Sequence, residues 1–120
     1  MEWTIDKSRP ICPQIVNQIC LRVASGEIQP GEKLLSVREI ALLAGVNPNT
    51  VQKSFEQLEA MDVLHSVRGS GWYVNEDNRS ALEKGEAYAR ESIRKLFDDL
   101  RVMGFDAQKV KQMVEDYTHE

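Results

Sequence analysis

The sequence predicts a mainly α-helical protein with one small β-hairpin, ordered as a winged helix-turn-helix followed by two further helices. Three observations carry this. Two helix signals stand almost back to back, with a capping pattern at Ser36-Val37-Arg38-Glu39, a stop at Gly45 and a restart at Asn47-Pro48. Two β-prone runs around the glycine-rich Arg68-Gly69-Ser70-Gly71 follow directly. Beyond a polar junction, apolar residues then recur at helical spacing towards the C-terminus.

Pro10 to Ser25 sets Cys12, Ile15, Ile19 and Val23 on one helical stripe, widened by Val16 and Cys20, and Gly26 is placed to stop that helix. Pro30-Gly31 suits the centre of a type II turn. Ser36 and Glu39 have the spacing of a capping box, in which each side chain satisfies a free backbone donor of the other. The short helix they open runs to about Ala44. Asn47 is then a favourable N-cap and Pro48 a favourable first helical residue.

Val51, Phe55 and Leu58 recur at i, i+4 and i+7, so this second helix buries one face. With Val51 inward, Asn49, Gln52, Lys53 and Glu56 project to the opposite side, which therefore carries amides and a cation. Val63 to Val67 and Trp72 to Val74 form the hairpin, and its glycine-rich tip allows close backbone approach to another surface. Asn75 to Arg79 is a polar junction. A long helix follows from about Asn78 to Met103, with Leu82, Ala89, Ile93, Leu96, Leu100 and Met103 on one stripe. From Ala89 the steps run 4, 3, 4, 3, which suits a packed helix pair. Gly104 ends it, and Asp106 caps a last helix carrying Val110, Met113, Val114 and Tyr117.

Length and composition set the bounds. With 120 residues and 42% hydrophobic content, the chain can bury one core and carry an appendage. The division predicted is 1–75 for the winged domain and 76–120 for the tail. Net charge is −4, from 15 basic and 19 acidic residues. Up to Asn75 there are 7 basic and 8 acidic residues, and from Glu76 there are 8 and 11, so the acidity sits mostly in the tail. A near-neutral front half argues against broad, non-specific attraction to polyanions. There is no apolar run of about 18 residues to span a membrane, and Met1-Glu2-Trp3 does not open a signal peptide, so a cytoplasmic protein is expected.

Cys12 and Cys20 are read as reduced core cysteines. A zinc site needs about four N or S ligands, and His65 and His119 lie far from both thiols, so no metal or other cofactor is expected. No nucleophile-base pair, carboxylate pair or phosphate loop emerges, so no catalytic residue is assigned and the chain is not read as an enzyme.

The stretch PGEKLLSVREIALLAGVNPNTVQKSFEQLEAMDVLHSVRGSGWYV resembles the DNA-binding domain of the GntR family of bacterial regulators, and with the lead-in helix the likeness covers Ile11 to Asn75. The opening near Pro10-Ile11 and the short tail are similar to the YtrA-type subfamily, whose tail is a two-helix dimerisation unit. Three departures stand out: Leu35 where the family usually has Pro, Met61-Asp62 for Glu-Gly, and Ser70 and Trp72 for the commoner Arg and Thr of the wing.

The resemblance implies a DNA-binding transcriptional regulator, with double-stranded operator DNA as partner. Arg38 falls on a position that contacts DNA, able to hold phosphate or pair with guanine. Asn49, Thr50 and Gln52 fall at the start of the recognition helix, which enters the major groove, with Lys53 assigned to phosphate. Asn47 is explained by capping or by DNA contact alike. Arg68, Gly69 and Ser70 form the wing tip, where the family's Arg-Gly pair reaches the minor groove.

Leu82, Ala89, Ile93, Leu96, Phe97, Leu100, Met103, Val110, Met113, Val114 and Tyr117 are assigned to a homodimer interface. Two identical heads would then match a palindromic operator. The expectation is a repressor, with transporter genes among its targets by family analogy. The tail is too short to enclose a ligand-binding domain. A small-molecule effector, of unknown identity, would have to lie in a groove lined by residues such as Tyr88, Phe97 and Tyr117, for which core packing is the more economical reading. The competing reading is a winged domain used for protein contacts without direct DNA reading.

Overall fold

The computed structural model describes residues 2–119; Met1 and Glu120, which the predicted spans include, lie outside them. The elements run α1 (Ile11–Ala24), α2 (Val37–Ala44), α3 (Pro48–Ala60), β1 (Leu64–Val67), β2 (Gly71–Val74), α4 (Arg79–Val102) and α5 (Ala107–Thr118). The chain forms two compact units, one running through Gly85 and the other from Glu86.

In the first unit, α1, α2 and α3 enclose a core in which Ile15, Ile19, Val23, Ile40, Val51, Phe55 and Leu58 are fully buried. Along α1 and α3 these residues recur every three or four positions, so one face of each is apolar and turns inward, while the short α2 contributes Ile40 with its neighbour Ala41. The predicted helix ends hold. Ser36 accepts from the Glu39 amide at 3.1 Å, and the Glu39 carboxylate accepts from the Ser36 amide at 3.1 Å. Gly45 closes α2 at φ 68°, left-handed backbone that glycine adopts without a Cβ clash. Asn47 caps α3 through its side chain, 2.8 Å from the Asn49 amide, and Pro48 stands at the first turn.

Strands β1 and β2 pair antiparallel, Leu64 opposite Val74 and Val67 opposite Gly71. The sequence reading gave only a turn to residues 30–35, yet this segment lines the outer edge of β2. The Gly31 amide donates to the Val74 carbonyl, Val74 donates to Glu32, and Leu34 donates to Trp72, each at 2.9 Å. An open strand edge leaves backbone groups unpaired, and this segment takes up some of them without a β-prone sequence of its own. Trp72, one of the departures in the wing, sets its ring edge-on to Phe55 at 5.4 Å and so ties the hairpin to α3.

The first unit extends past Asn75, the boundary expected from the sequence. Ala81 is buried in the core cluster, and the Ser80 hydroxyl donates to the Met61 carbonyl at 2.6 Å. Asp77 grips the Arg79 guanidinium at 2.6 Å, and that hydrogen bond holds its carboxyl down at about 2. Cys20 is buried as expected, whereas Cys12 is only half-buried.

In the second unit Val110 is fully buried and Leu100 half-buried, but much of the apolar stripe is open: Ile93 is 57%, Leu96 42%, Met103 69% and Tyr117 75% exposed. The core-packing reading of the aromatic residues is corrected here. Tyr88 and Tyr117 are exposed and only Phe97 is half-buried, because two helices cannot enclose side chains on both flanks.

Candidate nucleic-acid interface

The residues that the sequence singles out lie at the start of α3, the start of α2 and the tip of the hairpin. Val51, Phe55 and Leu58 fix α3 by its buried face, and this rotation turns Asn49, Lys53 and Glu56 out to solvent. Thr50 and Gln52 flank that face and are half-buried. Gln52 is not idle: its amide nitrogen donates to the Glu56 carboxylate at 3.2 Å, one turn on. The Asn47 side-chain oxygen is committed to its cap, which leaves the amide nitrogen for an outside acceptor. Ser54, buried on the inner side of α3, donates to the Thr50 carbonyl at 2.8 Å with the Cys12 sulfur 3.3 Å away. The sequence pattern did not anticipate this buried hydroxyl.

Arg38, exposed in the first turn of α2, lines a shallow cleft with Gly45, Val46 and Pro48, so it stands beside the start of α3. Arg68, Gly69 and Ser70 are exposed at the wing tip. Gly69 has φ 79° and open space where a Cβ would stand. Ser70 and the Tyr73 hydroxyl hydrogen-bond at 2.5 Å, and Tyr73 stacks on His65 across the hairpin. His65 in turn meets the Asn75 side chain at 2.6 Å. The tip is thus carried on a braced stem.

The cations of this surface are free of carboxylates, as are the lysines elsewhere on the chain among the described residues. Among the described residues, ion pairs join Arg22 to Glu27, Arg79 to Asp77, and the arginines of α4 to carboxylates on the same helix. Arg38, Lys53 and Arg68 make none. A cation without a protein carboxylate can take a phosphate with no partner to exchange, so a near-neutral surface can still grip DNA at chosen points. Among the described residues no group of His, Cys, Asp and Glu is arranged to hold a metal ion, and no helix is long and apolar enough to cross a membrane.

Three helices, a turn closed by Gly45, a capped α3 and a braced hairpin define a winged helix-turn-helix, the architecture of DNA-binding regulators. Residues 13–74 match the family described as "Bacterial regulatory proteins, gntR family". The chain is 33% identical over 110 residues to the HTH-type transcriptional repressor YtrA of Bacillus subtilis, covering 91% of this chain and 85% of that one. It is 30% identical to the uncharacterized HTH-type transcriptional regulator YhcF of the same organism, over 98% of both chains. A GntR family transcriptional regulator from Listeria monocytogenes superposes with a TM-score of 0.81 at 33% identity, covering 93% of this chain and 98% of the other. The chain belongs to the GntR family of DNA-binding transcriptional regulators, and within it to the YtrA type.

Proposed function

We propose that the protein is a dimeric repressor whose two winged heads occupy the half-sites of a palindromic operator. Asn49, Thr50 and Gln52 read base edges in the major groove, where Asn and Gln can pair bidentately with adenine. Arg38 and Lys53 hold phosphates, or guanine in the case of Arg38, and Asn47 adds a contact through its free amide nitrogen. Arg68, Gly69 and Ser70 carry the wing into the minor groove. The observation that carries this reading is the placement of two exposed, carboxylate-free cations, Arg38 beside the start of α3 and Lys53 on it, along the amide-bearing edge of that helix, with a third, Arg68, at the wing tip. The repressor role draws support from the similarity to YtrA, and transporter genes are the targets that the family resemblance suggests. Such a regulator would work in the cytoplasm, beside the chromosome.

The tail supplies the second half of the proposal. Ile93, Leu96, Phe97 and Val114 line one apolar groove between α4 and α5, and Leu96, Leu100, Met113, Val114 and Tyr117 line another. We assign these grooves, with Ala89 on α4 and Met103 at its end, to a second copy of the chain; Val110, fully buried within the protomer, supports that face from beneath and offers a partner no surface of its own. Leu82, 45% exposed at the start of α4, joins them in this assignment.

The test is a salt titration of binding to duplex DNA selected from a randomised pool by the full chain. Affinity should fall steeply with salt as counterions are released. Gln52→Ala or Asn49→Ala should each cost on the order of 1–3 kcal/mol at one base position. Unchanged affinity of both variants for selected and scrambled duplexes would defeat the assigned reading face. Binding without salt dependence would favour the reading as a protein-contact module.

A further inference from the structure

Lys33 lies outside every element assigned above, yet its surroundings fix it between two of them. Its backbone is held on both sides, since Val74 donates to the Glu32 carbonyl and Leu34 donates to Trp72, and Lys33 itself bridges to Tyr73 of β2. The side chain then crosses the hairpin at Gly71. A Cβ on that glycine would stand 3.2 Å from the Lys33 Cε and 4.0 Å from its Nζ, so the bare glycine backbone makes room for the lysine stem. On the other side lies the capping box of α2. Two hydrogen bonds from Ser36 hold the Glu39 carboxyl below its usual range, and the Lys33 charge adds to them. Even so, the lysine ammonium has no carboxylate within 4.0 Å among the described residues, and the residue is exposed.

From this placement we propose that Lys33 is a phosphate clamp at the joint between the wing and the first turn of α2. It takes a backbone phosphate lying between the contacts assigned to Arg38 and Arg68, and so sets how the wing seats relative to α3. An ammonium is a point charge and reads no base, so its contribution is the same on every sequence. The inference rests on the DNA-binding reading. It differs from a purely structural role, in which Lys33 would only steady the Glu39 cap.

Binding of the full chain to its selected duplex, and to a scrambled duplex of equal composition, is measured against salt for Lys33→Met, which keeps the stem and drops the charge. The magnitude of the log-log salt slope should decrease by about 0.9, equivalent to about fivefold weaker binding of both duplexes at 0.15 M salt. Lys33→Arg should keep the slope. Lys84→Met, which removes an equal charge from α4, should leave it unchanged. A slope unaltered by Lys33→Met overturns the clamp, even where affinity or thermal stability falls. So does an equal decrease with Lys84→Met, which would mark a general charge effect. In both cases wild type still binds; a wild-type chain that selects no duplex would refute the underlying reading and the clamp with it.

Discussion

Asp62 holds φ at 62°, the one non-glycine residue in the left-handed region among those described. It occupies the tight exit from α3, where the Asp62 amide donates to Glu59 and the Val63 amide to Leu58. Its carbonyl receives the Asn75 side chain at 2.8 Å, so the strained residue also anchors the base of the hairpin. The sequence shows Asp here where the family resemblance expects glycine, and the geometry explains that expectation. A Cβ crowds the following carbonyl in this conformation, although Asp tolerates it better than most residues. Asp62→Gly relieves the crowding but adds freedom to the unfolded chain. The net expectation is a gain of about 0.5–1 kcal/mol, read from urea unfolding. A loss of stability would mean that the Asp side chain supports this turn in a way its backbone geometry does not reveal.

At the scale of elements, what the sequence made legible was what local chemistry decides. Ser36 with Glu39, Gly45, Asn47 with Pro48 and Asp106 each terminate a helix through groups within three residues, and each predicted end is observed within a residue or two. The pairing of residues 31–34 with β2 was not legible, because it joins segments some forty positions apart through backbone groups that leave no side-chain pattern. Lys33 carries no legible signal for the same reason. The capping box is also the element whose energetics can be tested. Ser36→Ala should destabilise by about 1 kcal/mol in denaturant unfolding. Glu39 has a folded carboxyl held below its unfolded value, so its contribution is fully present above the usual carboxylate range and is lost as pH falls through that range towards the folded value. The thermal midpoints of wild type and Glu39→Gln should therefore converge on acidification. Midpoints that stay apart would assign the difference to something other than the ionised cap.

For the whole molecule, the winged domain is self-sufficient in its core while the second unit leaves much of its apolar stripe in solvent. The heptad-like spacing announced that stripe, but spacing alone does not say whether a helix covers its own chain or a partner. The exposures favour a partner: Ile93, Leu96, Val114 and Tyr117 are 57%, 42%, 41% and 75% accessible in one protomer. Leu96 and Val114 line both apolar grooves, which makes them the most informative positions. In a twofold dimer each substitution acts twice, and burying a leucine is worth about 1.5–3 kcal/mol. With 42% of Leu96 left to cover, Leu96→Asp should then weaken association by about 1.3–2.5 kcal/mol, or about one to two decades, even before the cost of a buried charge. Sedimentation should show a monomer at concentrations where wild type is dimeric. Helical circular dichroism should be retained, since position 96 is already partly exposed and its loss removes little from the protomer core. Operator affinity should fall more than affinity for a single half-site, because linked heads raise each other's effective concentration. A Leu96→Asp protein that stays dimeric would shift the interface to another apolar surface, and Leu42 and Leu43 on α2, 85% and 55% exposed, would be the next to test.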